Sequence, residues 1–294
     1  MDSYNLTNYN KAFVIGITLN VIYILVEVYY GFLINSMALL ADAGHNFSDV
    51  LGLLLAWGAA YLAKTATTER RTYGFRKSTI LAAFFNAILL MIAVGAITIE
   101  AVRKLILPAP VEGTTMMIVA GIGFVINAIT ALLFMKGREK DLNIKGAFLH
   151  MAADAGVSLG VVVAGFVIVS TGWLWVDPFI SLIIVLVITI GTWGLLNDSF
   201  HLSMDAVPRG IDLKEVGNYL RRINGVSEVH DLHIWAMSTT ETALTAHLVI
   251  PDETKDDFFL RNICSELHSI FGIDHSTIQI EKSAQSANCE MNKV

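Results

Sequence analysis

Two short intervals in this sequence are built to hold a metal ion. In "LLADAGHNFSDVLGLLLAW" (residues 39–57) His45 and Asp49 stand four apart; in "GAFLHMAADAGVSLGVVVAGF" (residues 146–166) His150 and Asp154 repeat the H-x-x-x-D spacing. Four residues are about one helical turn, so each pair lies on one face of a helix. Imidazole nitrogens and carboxylate oxygens suit zinc and its neighbours better than magnesium, calcium or manganese, which prefer all-oxygen shells. Two such pairs on facing helices make an N₂O₂ set, enough for a tetrahedral site. The set contains no thiolate, the ligand of closed structural sites, which fits an ion that must be released. One such pair in a soluble helix is most simply a hydrogen-bonded couple. Here both pairs lie in runs apolar enough to cross a bilayer, where a charge at mid-depth costs roughly 2.5 to 3.5 kcal/mol. Ionisable groups kept at that cost line a pathway, so the two pairs point to metal passage.

The elements that must position these pairs are read from hydropathy. The 294-residue chain is 54% hydrophobic with a mean hydropathy of +0.60, too apolar for a soluble protein of this size. Six runs are long enough to span, at approximately 11–32, 36–63, 79–102, 112–135, 147–171 and 176–200. Small residues lie beside each pair (Ala38, Gly52 and Ala56; Gly146, Ala147, Ala153, Gly156 and Gly160), which lets helices approach closely. The loops 64–77 and 136–146 carry nine Lys and Arg, against two in the loops of the opposite side. By the positive-inside rule the basic loops, and with them both termini, are cytoplasmic. "MDSYNLTNYN" lacks the basic start and cleavage site of a secretory signal, so the first run is expected to be retained. Cys264 and Cys289 show no pairing pattern, as expected of a reducing cytoplasm. The expected domains are a membrane domain over 1–204, a cytoplasmic domain over 205–283 and a tail over 284–294.

The soluble part is acidic. Residues 1–204 hold 12 Lys and Arg against 12 Asp and Glu, whereas 205–294 hold 8 against 14, so the net charge of −6 lies there. That balance argues against nucleic acid as a partner and is compatible with cations. "DLKEVGNYLRRI" (212–223) and "TKDDFFLRNICSELHSIFG" (254–272) read as helices. "VSEVHDLHIWAM" (226–237), "ETALTAHLVI" (241–250) and "HSTIQIE" (275–281) read as strands. The order α-β-β-α-β implies a ferredoxin-like or metallochaperone-like α+β sandwich. Strand parity puts Leu232, Ile234, Leu244, Leu248, Ile250, Ile278 and Ile280 on the apolar face, and His233, His247 and Glu281 on the other. Three ligand types from three strands are a second metal signal. An open polar sheet face with histidines explains them equally well. Trp235 shares that face, which could instead be a dimer interface. His230, His268 and Cys289 are lesser ligand candidates.

Other polar residues lie in the runs. Asp42 precedes His45 by three and could orient its imidazole or stand near the mouth. Asp42, Asn46 and Glu27 are together candidates for supporting the ligands or carrying protons, with Asn127 as a hydrogen-bonding partner for Glu27. Glu100 is expected to pair with Arg103 or Lys104, and Asp177 before Pro178 to mark a helix start.

The segments at 39–57 and 146–166 resemble the second and fifth spans of the cation diffusion facilitator family. "RRTYGFRKSTILAAFFNAI", "WVDPFISLII", "VHDLHIWAM" and "HSTIQIE" resemble that family's recurring segments, in order, over residues 12–282. The resemblance implies a six-span, proton-coupled exporter of divalent transition metals that works as a homodimer, with Zn²⁺ as cargo and H⁺ as coupling ion. It implies His45, Asp49, His150 and Asp154 as the transport site, since members with histidine in both pairs are mostly zinc transporters. It also implies regulatory zinc in the cytoplasmic domain, with His275 joining His233, His247 and Glu281, and a charge interlock between Lys77 and Asp205. Some members bind a further metal between spans 2 and 3 through His and Asp; the loop here has neither. The expected setting is the plasma (inner) membrane of a prokaryote. Cadmium, cobalt or iron as cargo, and a metal-gated channel or sensor, are the alternatives. A membrane zinc hydrolase is disfavoured, because four protein ligands leave no position for water and no H-E-x-x-H motif is present.

Overall fold

The computed structural model describes residues 18, 20–135, 142–251 and 257–283. The tail at 284–294, with Cys289, lies outside the described residues, as does most of the first run before Asn20. What is described of that run is an apolar helix, α1 (Asn20–Leu33). Five further helices are long and apolar enough to cross a membrane: α2 (Met37–Ala63), α3 (Ser78–Ile106), α4 (Gly113–Met135), α5 (Leu142–Thr171) and α6 (Val176–Ser203). The chain divides into two compact units, residues 1–54 with 85–194 and residues 55–84 with 195–294.

The first unit carries its polarity inside. Glu27, Asp42, Asn46, Asn127, Asp154 and Asp177 are buried, while Phe85, Leu89, Ile92 and Ile99 of α3 and Leu186, Val187 and Ile190 of α6 are exposed. An apolar exterior over a polar interior is stable only where the surroundings are hydrocarbon. The core joins Ala38, Leu39 and Ala41 of α2 with Met116, Val119 and Ala120 of α4, Val161 and Ala164 of α5, and Ile184, Val185 and Ile188 of α6.

Of the glycines expected beside the ligand pairs, Gly52 makes a close approach, whereas Gly156 and Gly160 do not. A Cβ on Gly156 or Gly160 would meet nothing within 4 Å. The tight crossing is instead at the ends of α4 and α5, where a Cβ on Gly113 would stand 2.8 Å from the carbonyl oxygen of Gly165. Gly123 of α4 admits the ring of Tyr23 from α1, and Gly52 of α2 admits the amide of Asn86 from α3.

Asp177 does more than begin its own helix. Its carboxylate accepts from the Ser36 hydroxyl (2.5 Å) and from the backbone N–H groups of Met37 (2.8 Å) and Ala38 (3.1 Å). It therefore caps α2 from α6, satisfying orphan donors that hydrocarbon could not. Asn35, at φ 59, makes the sharp connection from α1, and both its backbone carbonyl and its side-chain oxygen accept from Lys104 at 2.6 Å.

In the second unit the chain folds in the expected α-β-β-α-β order: α7 (Leu213–Arg221), β1 (Glu228–Ala236), β2 (Thr242–Val249), α8 (Asp257–Phe271) and β3 (His275–Glu281). Asp212 caps α7 by accepting from the Lys214 N–H at 2.7 Å. Gly272, at φ 67, ends α8 in the left-handed conformation that glycine adopts without strain. β1 and β2 are antiparallel, and β3, reached through α8, runs parallel to β2. Val216 and Leu220 of α7 and Ile263 and Leu267 of α8 cover one sheet face with Ile234, Leu244 and Leu248, leaving the other face open. Leu232 and Ile278 only flank this core, and Ile280, expected within it, is exposed on the edge strand.

The same unit contains the helix ends nearest the sheet. Lys77 Nζ lies 2.6 Å from Asp205 Oδ1, Arg76 pairs with Glu241 at 3.0 Å, and Arg209 pairs with Asp198 at 2.6 Å. The N–H of Thr239 donates to the Thr79 hydroxyl at 3.1 Å, and the rings of Tyr73 and His275 meet edge to face.

Candidate metal centres

α2 carries His45 and Asp49, α5 carries His150 and Asp154, and each pair faces the other helix. His45 Nε2 is 3.4 Å from Asp154 Oδ1 and 3.9 Å from Asp49 Oδ2. His150 Nε2 is 3.3 Å from Asp49 Oδ2 and 3.6 Å from Asp154 Oδ2. A tetrahedral site with metal–ligand bonds of 2.0–2.1 Å requires ligand atoms ~3.3–3.4 Å apart. His45, Asp49 and Asp154 bring ligand atoms within 4.8 Å of one another; His150 lies 3.3–3.6 Å from the two carboxylates but falls outside that group. The imidazole rings are 6.3 Å apart and inclined at 77°.

Burial is graded across the cluster. The Asp154 side chain is 2% exposed, those of His45 and Asp49 are partly covered, and that of His150 is 43% exposed. Asp49 Oδ2 and Asp154 Oδ1 are buried with no hydrogen-bond donor, as is His45 Nδ1 without a partner. Buried acceptors without donors are costly, and a cation between them would satisfy both carboxylates at once.

No hydrogen bond joins Asp42 to His45 among the described residues. Asp42 is fully buried and accepts from Ser158 of α5 at 3.0 Å and from the Asn46 amide at 3.4 Å. Glu27 finds its donor in Tyr23, one turn earlier on α1, at 2.9 Å. It does not use Asn127, whose two amide atoms are buried without a partner. Glu100 does pair with Arg103, at 3.4 Å.

The open sheet face gathers a different set from the one parity suggested. His230, His247 and Glu281 bring ligand atoms within 4.8 Å of one another. His230 Nε2 is 3.3 Å from Glu281 Oε2, and His247 Nδ1 is 2.9 Å from Glu281 Oε1. His233 is not among them; it bonds Asp231 at 3.0 Å, and Asp231 also faces His247 Nε2 at 3.4 Å. The reason is a register shift between His230 and His233, with Asp231 at φ 51. A bulge adds one residue and reverses the alternation, so Val229 before it and Ile234 after it both enter the core. His230 then sits opposite His247, and His233 opposite Thr245. His275, at the far end of β3, pairs in register with Ala243 and stands apart from this cluster. His268 is beside Asp274 at 3.6 Å. Asp231 is the residue that sequence reasoning missed; its only signal was its place between two histidines.

These geometries agree with comparisons to known proteins. The profile of the cation efflux transmembrane domain matches residues 13–202, and that of the cation efflux protein cytoplasmic domain matches residues 208–283. The cadmium, cobalt and zinc/H(+)-K(+) antiporter of Bacillus subtilis is 35% identical over 269 residues, covering 90% of this chain and 86% of the relative. The metal cation efflux system protein CzcD of Cupriavidus metallidurans is 36% identical over 272 residues (92% and 86%). Zinc transporter ZitB of Escherichia coli is 36% identical over 274 residues (92% and 87%). With both domain profiles in sequence along one chain, and a two-helix cluster of ion ligands inside the first, the protein belongs to the cation efflux, or cation diffusion facilitator, family of membrane metal transporters.

Proposed function

We propose that this transporter exports Zn²⁺ from the cytoplasm in exchange for protons, with His45, Asp49, His150 and Asp154 as the four ligands of the moving ion. The observation that carries the reading is the set of four histidine–carboxylate separations of 3.3–3.9 Å between and along α2 and α5. Zinc needs neutral imidazoles and ionised carboxylates, so protons and metal compete for the same lone pairs. Imidazole, with a reference pKa near 6.5, changes state inside the range a cell can impose. Exposing the cluster to one side and then the other turns that competition into exchange. Cadmium, cobalt and iron satisfy the same donor set less selectively, and the names of the relatives extend to cadmium and cobalt.

The cytoplasmic domain is proposed to bind zinc through His230, His247 and Glu281, with Asp231 closing the site beside His247, and to hold the homodimer through the open face. The expected topology has both termini in the cytoplasm of a prokaryotic cell.

The test is zinc accumulation in proteoliposomes with a pH dye inside. Zinc movement should be matched by opposite proton movement, and apparent zinc affinity should fall as pH drops from about 7.5 to about 5.5. Zinc flux with no proton movement would instead describe a channel. Bound metal with no flux would describe a sensor.

A further inference from the structure

Beside the metal cluster lies a second polar constellation for which neither the ligand geometry nor the family assignment has a use. Glu27 of α1 and Asp42 of α2 are both wholly buried. Tyr23 donates to Glu27 Oε1 at 2.9 Å, Ser158 donates to Asp42 Oδ2 at 3.0 Å and the Asn46 amide donates to Asp42 Oδ1 at 3.4 Å. Glu27 Oε2 receives no donor. The two carboxyl groups lie within interaction range of each other. No Lys, Arg or His forms an ion pair with either group among the described residues. Two bare carboxylates side by side at membrane depth would combine mutual repulsion with the burial cost of each.

We propose that Glu27 and Asp42 share one proton and form a proton-carrying site separate from the metal ligands. This rests on the transport reading above and adds to it the place of one exchanged proton. The pair is mechanically tied to the cluster: Asp42 stands three residues before His45 on α2, and its donor Ser158 stands four after Asp154 on α5. When a divalent cation settles between Asp49 and Asp154, its field favours the doubly ionised pair. Glu27–COOH with Asp42–COO⁻ becomes two carboxylates, and the proton leaves to water on the side then open. When the metal departs, one proton returns and the pair regains its single negative charge. The groups facing Glu27 are Tyr23 on its own helix and Asp42 on α2; Asp42 feels His45 on α2 and Asp154 on α5. α4, whose Gly123 lies against Tyr23, brings no titratable residue.

The experiment counts protons released per zinc bound to the purified full chain in weakly buffered solution, for wild type and Glu27→Gln. The variant should release about one proton fewer per zinc while its zinc Kd stays within about threefold, and Glu27→Asp should restore the count. An unchanged count in Glu27→Gln would overturn the proposal. Infrared difference spectra of the wild type, which need no variant to fold, give the second reading. Zinc should abolish the carbonyl stretch of a protonated carboxylic acid, and a spectrum without that loss overturns the proposal too. If potassium in place of choline alters the wild-type proton count but not that of Glu27→Gln, a monovalent cation occupies the pair and the proton assignment is wrong. If Asp154→Ala binds zinc as tightly as wild type, the transport-site reading fails. If instead Asp154→Ala loses the zinc of the α2–α5 cluster and keeps that of the cytoplasmic domain, while Glu27→Gln changes nothing, only the acid pair fails.

Discussion

Both candidate centres set imidazoles against carboxylates, one across a pair of helices and the other across a sheet. His45, Asp49, His150 and Asp154 could be picked out because their spacing is one helical turn, and a straight helix carries that spacing unchanged into the structure. The sheet cluster could be picked out only in part. His233, His247 and Glu281 kept their expected face, but the bulge at Asp231 turns His230 onto that face opposite His247, so His230 and not His233 joins the cluster. Strand parity is a two-residue code, and a single inserted residue inverts it. The correction has a direct consequence. His247→Ala should cost the cytoplasmic domain of the full chain its zinc, whereas His233→Ala should weaken binding by far less, as read by titration on an Asp154→Ala background. Equal losses from the two variants would return His233 to the ligand set.

Helix order, strand order and the six-run pattern were all open to reading, because each follows from hydropathy period and turn residues. The contacts between elements were not. Asp177 was expected to start its own helix and is found capping α2, since a carboxylate at one helix end serves whichever orphan N–H groups lie nearest in space. Of the glycines beside the ligands only Gly52 makes a close approach among those described, and Gly113, Gly165 and Gly123 set the others named here. Small residues permit close approach without saying where it happens. Gly123 gives the test at this scale. A Cβ there would stand 2.1 Å from the Tyr23 hydroxyl, so Gly123→Ala must push Tyr23 off Glu27. The expected cost is roughly 1–3 kcal/mol, read as a lower unfolding temperature in detergent that Tyr23→Ala in the same chain relieves. An unshifted unfolding temperature would mean that the ring moves freely.

Across the whole molecule, one unit carries the α2–α5 cluster of histidines and carboxylates and the other carries the sheet cluster. Lys77 and Asp205 connect the loop before α3 to the loop after α6. Both side chains are largely exposed, and such a pair contributes only about 0.2–1 kcal/mol, so its value is positional. Lys77→Glu should therefore lower transport with little change in unfolding temperature, and the exchange Lys77→Glu with Asp205→Lys should recover part of the flux. A double variant no better than the single would argue against the interlock.

Zinc accumulation in proteoliposomes by Asp154→Ala, beside wild type and at matched dimer content, tests the central claim most directly. Asp154 is the most buried of the four proposed ligands, and one of its carboxylate oxygens is without a donor. The variant should reconstitute as the same folded dimer and accumulate no zinc above empty liposomes. Sustained zinc accumulation by that variant would contradict the assignment of the α2–α5 cluster as the path of the ion.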